Sequence, residues 1–187
     1  MDYIIIRSRR KTISIQVKDG QPILRAPKWL SDREILAFAA KNQDWTRRQI
    51  EKANTERAAL AAVRRLTPEE LRGLAQRAKA VIPARVAYYA PLVGVTYGRV
   101  AVRCQRTRWG SCGANGNLNF NCLLLLAPPE VLDSVVVHEL CHRKVPNHSD
   151  AFYAEVLRVL PDYRERHRWL RENGKNLMAM ADGGQTP

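Results

Sequence analysis

His138, Glu139 and His142 form an H-E-x-x-H pattern, and His148 follows six residues after the second histidine. Three of the chain's four histidines therefore lie within eleven residues. A helix repeats about every 3.6 residues, so His138 and His142 project from one face, a turn apart. Two imidazoles so placed can share a zinc ion at about 2.0–2.1 Å each. Glu139 follows the first of them by one residue. It flanks the metal without having to bind it, and there it can take a proton from a water that the metal activates. His148 lies beyond the helix end and can return as a third ligand. The fourth position then stays open, which marks a catalytic rather than a structural zinc. A buried helix face is a costly place for two imidazoles unless something coordinates them. Neutral imidazole ligands lean to zinc. The fourth histidine, His167, falls in a charged stretch and reads as an exposed residue.

Pro128-Pro129-Glu130 opens the helix that must carry these groups, and Pro146 is expected to end it. Val131, Val135, His138 and His142 share one stripe. Val136, Val137, Leu140 and Cys141 add apolar neighbours, so the helix should be buried on most sides. Asp133 is expected to be exposed near its start, where a negative charge suits the dipole. Ser149 is placed to cap a following helix with Phe152, Val156 and Leu157 turned inward. Tyr163–Asn173 reads as a last, strongly charged helix, and the residues from Gly174 onward as a fraying tail.

Ahead of the metal helix, Val100, Val102 and Cys104 alternate with Ala101, Arg103 and Gln105. Leu118, Phe120 and Cys122 alternate with Asn117, Asn119 and Asn121. Both are strand patterns. Gly113-Ala114-Asn115-Gly116 is a turn signal, so a β-hairpin should immediately precede the metal helix. It could offer an edge strand for an extended peptide. At the N-terminus, Tyr3–Ser8, Thr12–Val17 and Ile23–Ala26 read as three strands of a small antiparallel sheet, with Asp19-Gly20 as a hairpin turn. Ser31 and Glu34 make a capping box for a helix over Asp32–Lys41, buried through Ile35, Leu36, Phe38 and Ala39. A second helical pattern starts near Asn42 or Gln43, with Trp45 and Ile50 packed. Thr67-Pro68-Glu69-Glu70 starts another, which Pro83 is placed to kink or interrupt.

With 187 residues, 45% apolar and 26% charged, the chain has the composition of an ordinary globular protein. No apolar run approaches the roughly 20 residues that span a bilayer. The longest, Leu123–Ala127, is strand-sized. The N-terminus lacks the marks of a signal peptide. Cys104, Cys112, Cys122 and Cys141 form no C-x-x-C pair and read as reduced thiols of a cytoplasmic protein. The net charge of +13 admits a weak nucleic-acid contact through a basic surface, although the positive residues are spread along the chain.

The offsets of 0, 4 and 10 between the histidines are those of metzincins. Val145, however, stands where that class has a glycine, which argues against membership. The chain instead resembles the YgjP-like zinc metallopeptidases, minigluzincin relatives and cousins of the SprT and Wss-type proteases. Arg108-Trp109-Gly110-Ser111-Cys112, then Asn121, His138-Glu139-Leu140-Cys141-His142, and Asn147-His148-Ser149 with Phe152-Tyr153 carry the resemblance. It extends from the N-terminal strands through about Asn173. The family usually has Phe-Trp where Phe152-Tyr153 stands, a departure that keeps an aromatic. By resemblance, His138, His142 and His148 are the ligands of a Zn²⁺ ion and Glu139 is the catalytic residue.

The expected architecture is α+β and zincin-like, a helical core with a preceding β-hairpin and an N-terminal antiparallel β-sheet. Residues 1–66 would form the sheet plus helices, packed with the rest, residues 67–173 the metallopeptidase core and residues 174–187 a flexible tail. The expected activity is hydrolysis of a peptide or protein substrate with Glu139 as general base, and no membrane partner is implied. Arg108, Trp109 and Asn121 are candidates to line the cleft or stabilise an oxyanion. Three other readings stay open: a zinc hydrolase of a nucleotide pyrophosphate, a DNA-associated protease, and a metal-binding module without catalysis.

Overall fold

A computed structural model describes residues 1–181. The fold is α+β, with two three-stranded sheets and six α-helices among the described residues. The chain divides into two compact units, Met1–Ala62 and the residues from Val63 onward. No helix is long and apolar enough to cross a membrane among the described residues.

The first unit holds β1 (Ile4–Ser8), β2 (Ser14–Lys18), β3 (Gln21–Pro27), α1 (Asp32–Lys41) and α2 (Gln43–Ala61). Asp19 and Gly20 both have positive φ, the geometry of a tight turn whose twist suits a hairpin, and β2 and β3 pair antiparallel around it. The sheet order is β1-β3-β2, and β1 runs parallel to β3, Ile4 opposite Ile23. The sheet is therefore mixed, not antiparallel as the sequence suggested. The chain reverses at each connection, as a meander does, but β3 inserts between the other two. Alternation identifies strands and says nothing of adjacency. β3 takes the centre because it carries the most burial, with Leu24 and Ala26 inaccessible to solvent. The Ser31–Glu34 capping box is formed, and Ile35 and Ala39 of α1 complete this small core. Leu36 and Trp45, expected to pack, are exposed.

The second unit begins with α3 (Pro68–Val93), capped by a Thr67–Glu70 box and closed by Gly94 in the left-handed region. Pro83 and Pro91 lie inside this helix without ending it. Then come β4 (Val100–Arg103), β5 (Gly110–Cys112), β6 (Leu118–Asn121), a 3₁₀ turn over Cys122–Leu126, α4 (Pro129–Cys141), α5 (Asp150–Val159) and α6 (Tyr163–Met180). The sheet order is β4-β6-β5. The hairpin ahead of α4 is β5–β6, and β4 joins β6 in parallel. The last residues of the segment between the two expected strands thus form a strand of their own, at the sheet edge. The apolar run after β6 coils as a 3₁₀ turn instead of extending.

Helix α4 is the core of this unit. Its faces pack on α3, α5, α6, β5 and the 3₁₀ turn, and ten of its thirteen residues are buried. Burial on all sides explains why a run of valines can be helical here: packing overrides the modest helix propensity of β-branched residues. Asp133, expected to be exposed, is buried. It accepts from Arg85 Nε at 2.6 Å and Nη2 at 2.7 Å, and the Tyr89 hydroxyl donates to it at 3.0 Å. A carboxylate at a helix start ordinarily faces solvent, whereas here α3 supplies the partners that permit its burial. Asp133→Ala is expected to lower unfolding stability by about 1–3 kcal/mol. The Arg85 side chain is 37% exposed and can turn to water, which holds the loss below that of a fully buried pair. Urea denaturation of the variant measures it, and an unshifted midpoint would leave the triad without a net stabilising role.

Helix α6 continues past Asn173 to Met180. Gly174, Leu177 and Ala179 are buried, and Leu66 N–H donates to Met180 O at 2.8 Å. The expected tail is thus ordered as far as Ala181. Leu170, Gly174, Leu177 and Ala181 have helical spacing, but glycine and alanine in that row gave too weak a pattern to read. Residues 182–187 of the expected tail lie outside the described residues.

Candidate metal centre and cleft

His138 sits in the last turn of α4 and His142 is its C-cap, four residues before Pro146. The helix ends sooner than expected, but the two imidazoles keep their one-turn spacing. Arg143 N–H donates to Leu140 O, and the Lys144 and Val145 N–H groups donate to Cys141 O, each at 3.0 Å. These bonds close the helix and send the chain back toward α5. His148 lies on that return, before the N-cap residue Ser149, whose side chain makes no capping bond.

The three imidazoles converge. His138 Nε2 is 3.2 Å from His142 Nε2 and 3.0 Å from His148 Nε2. One candidate ligand atom from each of the three lies within 4.8 Å of the others. Tetrahedral ligands at zinc–nitrogen distances would stand about 3.3–3.4 Å apart, so these nitrogens have the spacing of a ligand set around one ion. Phe152 packs against all three rings, with centroids 4.8, 4.5 and 5.0 Å from those of His138, His142 and His148. It is wholly buried on the inner face of α5.

The outer nitrogens have partners. His142 Nδ1 is 3.1 Å from Val145 O. A carbonyl can only accept, so this contact places the proton on Nδ1 and leaves Nε2 with a lone pair. The Tyr163 hydroxyl lies 2.8 Å from His138 Nδ1. Burial, reinforced by the neighbouring imidazoles, pushes His138 down to about 3. Burial lowers His142 as well. Both are therefore neutral near pH 7, the form that ligates a metal.

Glu139 is buried beside the triad. Burial pushes its carboxyl up to about 7, against the opposing charge of Arg108. β5 crosses α4 at this point. A Cβ at Gly110 would stand 2.6 Å from Glu139 Oε1, 2.7 Å from Cγ and 2.9 Å from Cδ, so only glycine leaves room for the carboxylate. A cleft of about 660 Å³ opens over the group, lined by residues 110–114, His138, Glu139, His142, Arg143, Pro146 and His148. β5 forms one wall, and no strand pairs with its outer edge among the described residues. A smaller pocket of about 150 Å³ shares Gly110, His138 and Glu139 and is closed by Trp109, Val135, Tyr163 and Leu170.

Two of the three proposed substrate contacts lie near this site. Arg108 is exposed on the loop before β5. Trp109 lines the smaller pocket and packs against α6, where a Cβ at Gly174 would meet its ring at 3.1 Å. Asn121 is elsewhere. It is wholly buried, donates to Gln105 O at 2.7 Å and Arg108 O at 3.2 Å, and accepts from Leu123 N–H at 3.1 Å. It ties down the loop that presents Arg108 and lines neither the cleft nor the smaller pocket. His167 is exposed, as expected, yet borders the smaller pocket, its ring 5.6 Å from that of Tyr163. Sequence reasoning missed Gly110, Phe152 and Tyr163 as site residues. Gly110 stood inside a singled-out motif, but the reason for a glycine there is a contact with another element. Tyr163 lies 25 residues from its partner, and no local pattern announces it.

Three imidazoles at ligand spacing beside a buried carboxylate form the donor set of a metal-dependent enzyme, and the family model narrows that class to the metallopeptidases. Residues 70–173 match the family model described as YgjP-like, metallopeptidase domain. That is more than half of the chain, and the chain belongs to this family of peptidase hydrolases. No curated protein matches it. Solved structures that it resembles include the metallopeptidase zymogen abylysin of Pyrococcus abyssi, at 20% identity and a TM-score of 0.45, covering 49% of this chain and 94% of that one. The metallopeptidase zymogen jannalysin of Methanocaldococcus jannaschii matches at 17% identity and a TM-score of 0.45, covering 49% and 95%.

Proposed function

We propose that this chain is a zinc-dependent peptidase with a zincin-like core, in which His138, His142 and His148 hold the ion and Glu139 is the general base. One observation carries the reading: three imidazole nitrogens converge beside a buried carboxylate, under a strand whose outer edge is unpaired among the described residues. When bound, zinc supplies a Lewis acid and a coordination position left open by three protein ligands.

The protein's own residues do the rest. His142 Nδ1–H donated to Val145 O fixes the tautomer that turns a bare Nε2 inward. The Tyr163 hydroxyl, 2.8 Å from His138 Nδ1, can accept from it and so hold His138 with its own Nε2 free for the metal. Phe152 holds the three rings in place. An extended peptide pairs with the edge of β5, which sets its scissile carbonyl over the triad. The Glu139 carboxylate takes a proton from the attacking water and delivers it to the leaving amine. Its buried surroundings raise its affinity for that proton, as suits a group that must accept it and then release it. Arg108 and Trp109 flank the substrate where the loop enters β5.

The test is cleavage of a proteome-derived peptide library by zinc-loaded protein, read by mass spectrometry. Cleavage should stop on chelation and return with zinc. Turnover of nucleoside triphosphates with no peptide cleaved would overturn the reading in favour of a pyrophosphatase. A more local expectation concerns Tyr163→Phe. Loss of the partner to His138 should weaken zinc binding about 10- to 100-fold, measured by competition with a chelating dye. Unchanged affinity would mean that Tyr163 does not orient the ligand.

A further inference from the structure

Beyond the cleft, α5 and α6 border a depression of about 340 Å³. Its floor carries Tyr153, Leu157 and Tyr163, and its rim carries Arg164, Arg168 and Arg171 together with His167. Residues 164, 167, 168 and 171 have the spacing of one helical face. None of these three arginines joins an ion pair among the described residues, whereas Arg166, on another face of the same helix, pairs with Asp162 at 2.8 Å. Three guanidinium groups facing one concavity repel each other, and an anion seated among them relieves that repulsion.

The depression is joined to the catalytic cleft. Tyr163 and His167 line both it and the smaller pocket, which contains Glu139 and His138. From the His138 ring to that of Tyr163 is 6.1 Å, and from Tyr163 to His167 5.6 Å. Extended peptide rises about 3.3 Å per residue, so about three or four residues cover that distance. Tyr153 stacks toward His148 at 6.3 Å and completes the wall. A nucleic-acid strand is tracked by a long groove about 4–16 nucleotides in length. This is instead a bounded hollow with room for one or two side chains.

We propose that the hollow is a specificity subsite for acidic side chains of the peptide substrate, placed within about four residues of the scissile bond. The inference rests on the peptidase reading above. Aspartate or glutamate there would receive paired N–H donors from Arg164, Arg168 or Arg171, and its carboxylate would displace water from a site already rich in positive charge. The tyrosine faces would flank its aliphatic stem.

The experiment uses the full-length, zinc-loaded Glu139→Gln protein, so that binding is read without turnover. Two fluorescein-labelled, C-terminally amidated heptapeptides serve as probes, identical except that three glutamates in one are glutamines in the other. Fluorescence anisotropy should show the glutamate peptide binding at least about ten-fold tighter. The preference should collapse toward unity in the Arg164→Ala/Arg168→Ala/Arg171→Ala variant, whose changes are all exposed, and recover in part with lysine at the three positions. It should also shrink as salt rises. Equal binding of the two peptides, or a preference that survives the triple alanine variant, overturns the proposal. So does a single-stranded oligonucleotide of matched charge that displaces the peptide more strongly than the peptide itself. Glutamate-selective binding that the triple alanine variant abolishes, combined with no peptide cleavage by the parent protein, supports the hollow as a site for acidic side chains and overturns the peptidase reading together with the substrate role that rests on it.

Discussion

Glu139→Gln is expected to lower kcat/KM by about 10²–10⁴-fold, the range that a positioned general base contributes, and to leave the bound metal in place. The substitution is isosteric, and Glu139 is not needed as a ligand, because the three imidazoles already stand at ligand spacing without it. What is lost is the ability to accept a proton. Glutamine suits the buried position at least as well as glutamate, since burial already drives the carboxyl toward its neutral form. Thermal stability should therefore hold or rise while activity falls, the signature of a residue kept for chemistry at some expense of stability. Metal content, melting temperature and kcat/KM, measured on one preparation, separate the cases. Full activity would mean that another group takes the proton. Loss of the metal would mean that Glu139 is a ligand.

The site was more legible in the sequence than the fold around it. A helix fixes the spacing of its own side chains, so His138, Glu139 and His142 could be placed on one turn from their numbering alone. His148 could be placed because a proline had to break the helix between them. Capping boxes at Ser31 and Thr67 were readable for the same reason, since each is a contact between residues three apart. What failed depended on partners distant in sequence. The parallel pairings of β1 with β3 and of β4 with β6 are absent from any alternation pattern. Asp133 looked like a surface residue until α3 brought Arg85 and Tyr89 to it. Asn121 looked like a cleft residue because it alternates with apolar neighbours, yet its amide is spent on the Gln105 and Arg108 carbonyls.

Gly110→Ala should be nearly as damaging as loss of the proposed base, although residue 110 carries no side chain for chemistry. The backbone at this position is not in the left-handed region, so alanine meets no conformational objection. Its objection is steric. The new methyl would stand under 3.0 Å from three atoms of Glu139, including Cγ, and rotating the carboxylate tip alone would not clear it. Either Glu139 swings from its place or β5 lifts away from α4, and each separates the base from the substrate edge. A misplacement of about 1 Å at a reacting group costs about 10²-fold, and kcat should carry that loss. Overpacking should also lower stability by about 1–3 kcal/mol. Metal affinity should be unaffected, because the three nearest atoms that the methyl meets all belong to Glu139 and none to His138, His142 or His148. The double variant with Glu139→Gln decides the mechanism. If alanine acts by displacing the base, the two losses will not add, since a base already absent cannot be misplaced. Additive losses would instead assign Gly110 a role of its own, in the pairing of β5 with the peptide.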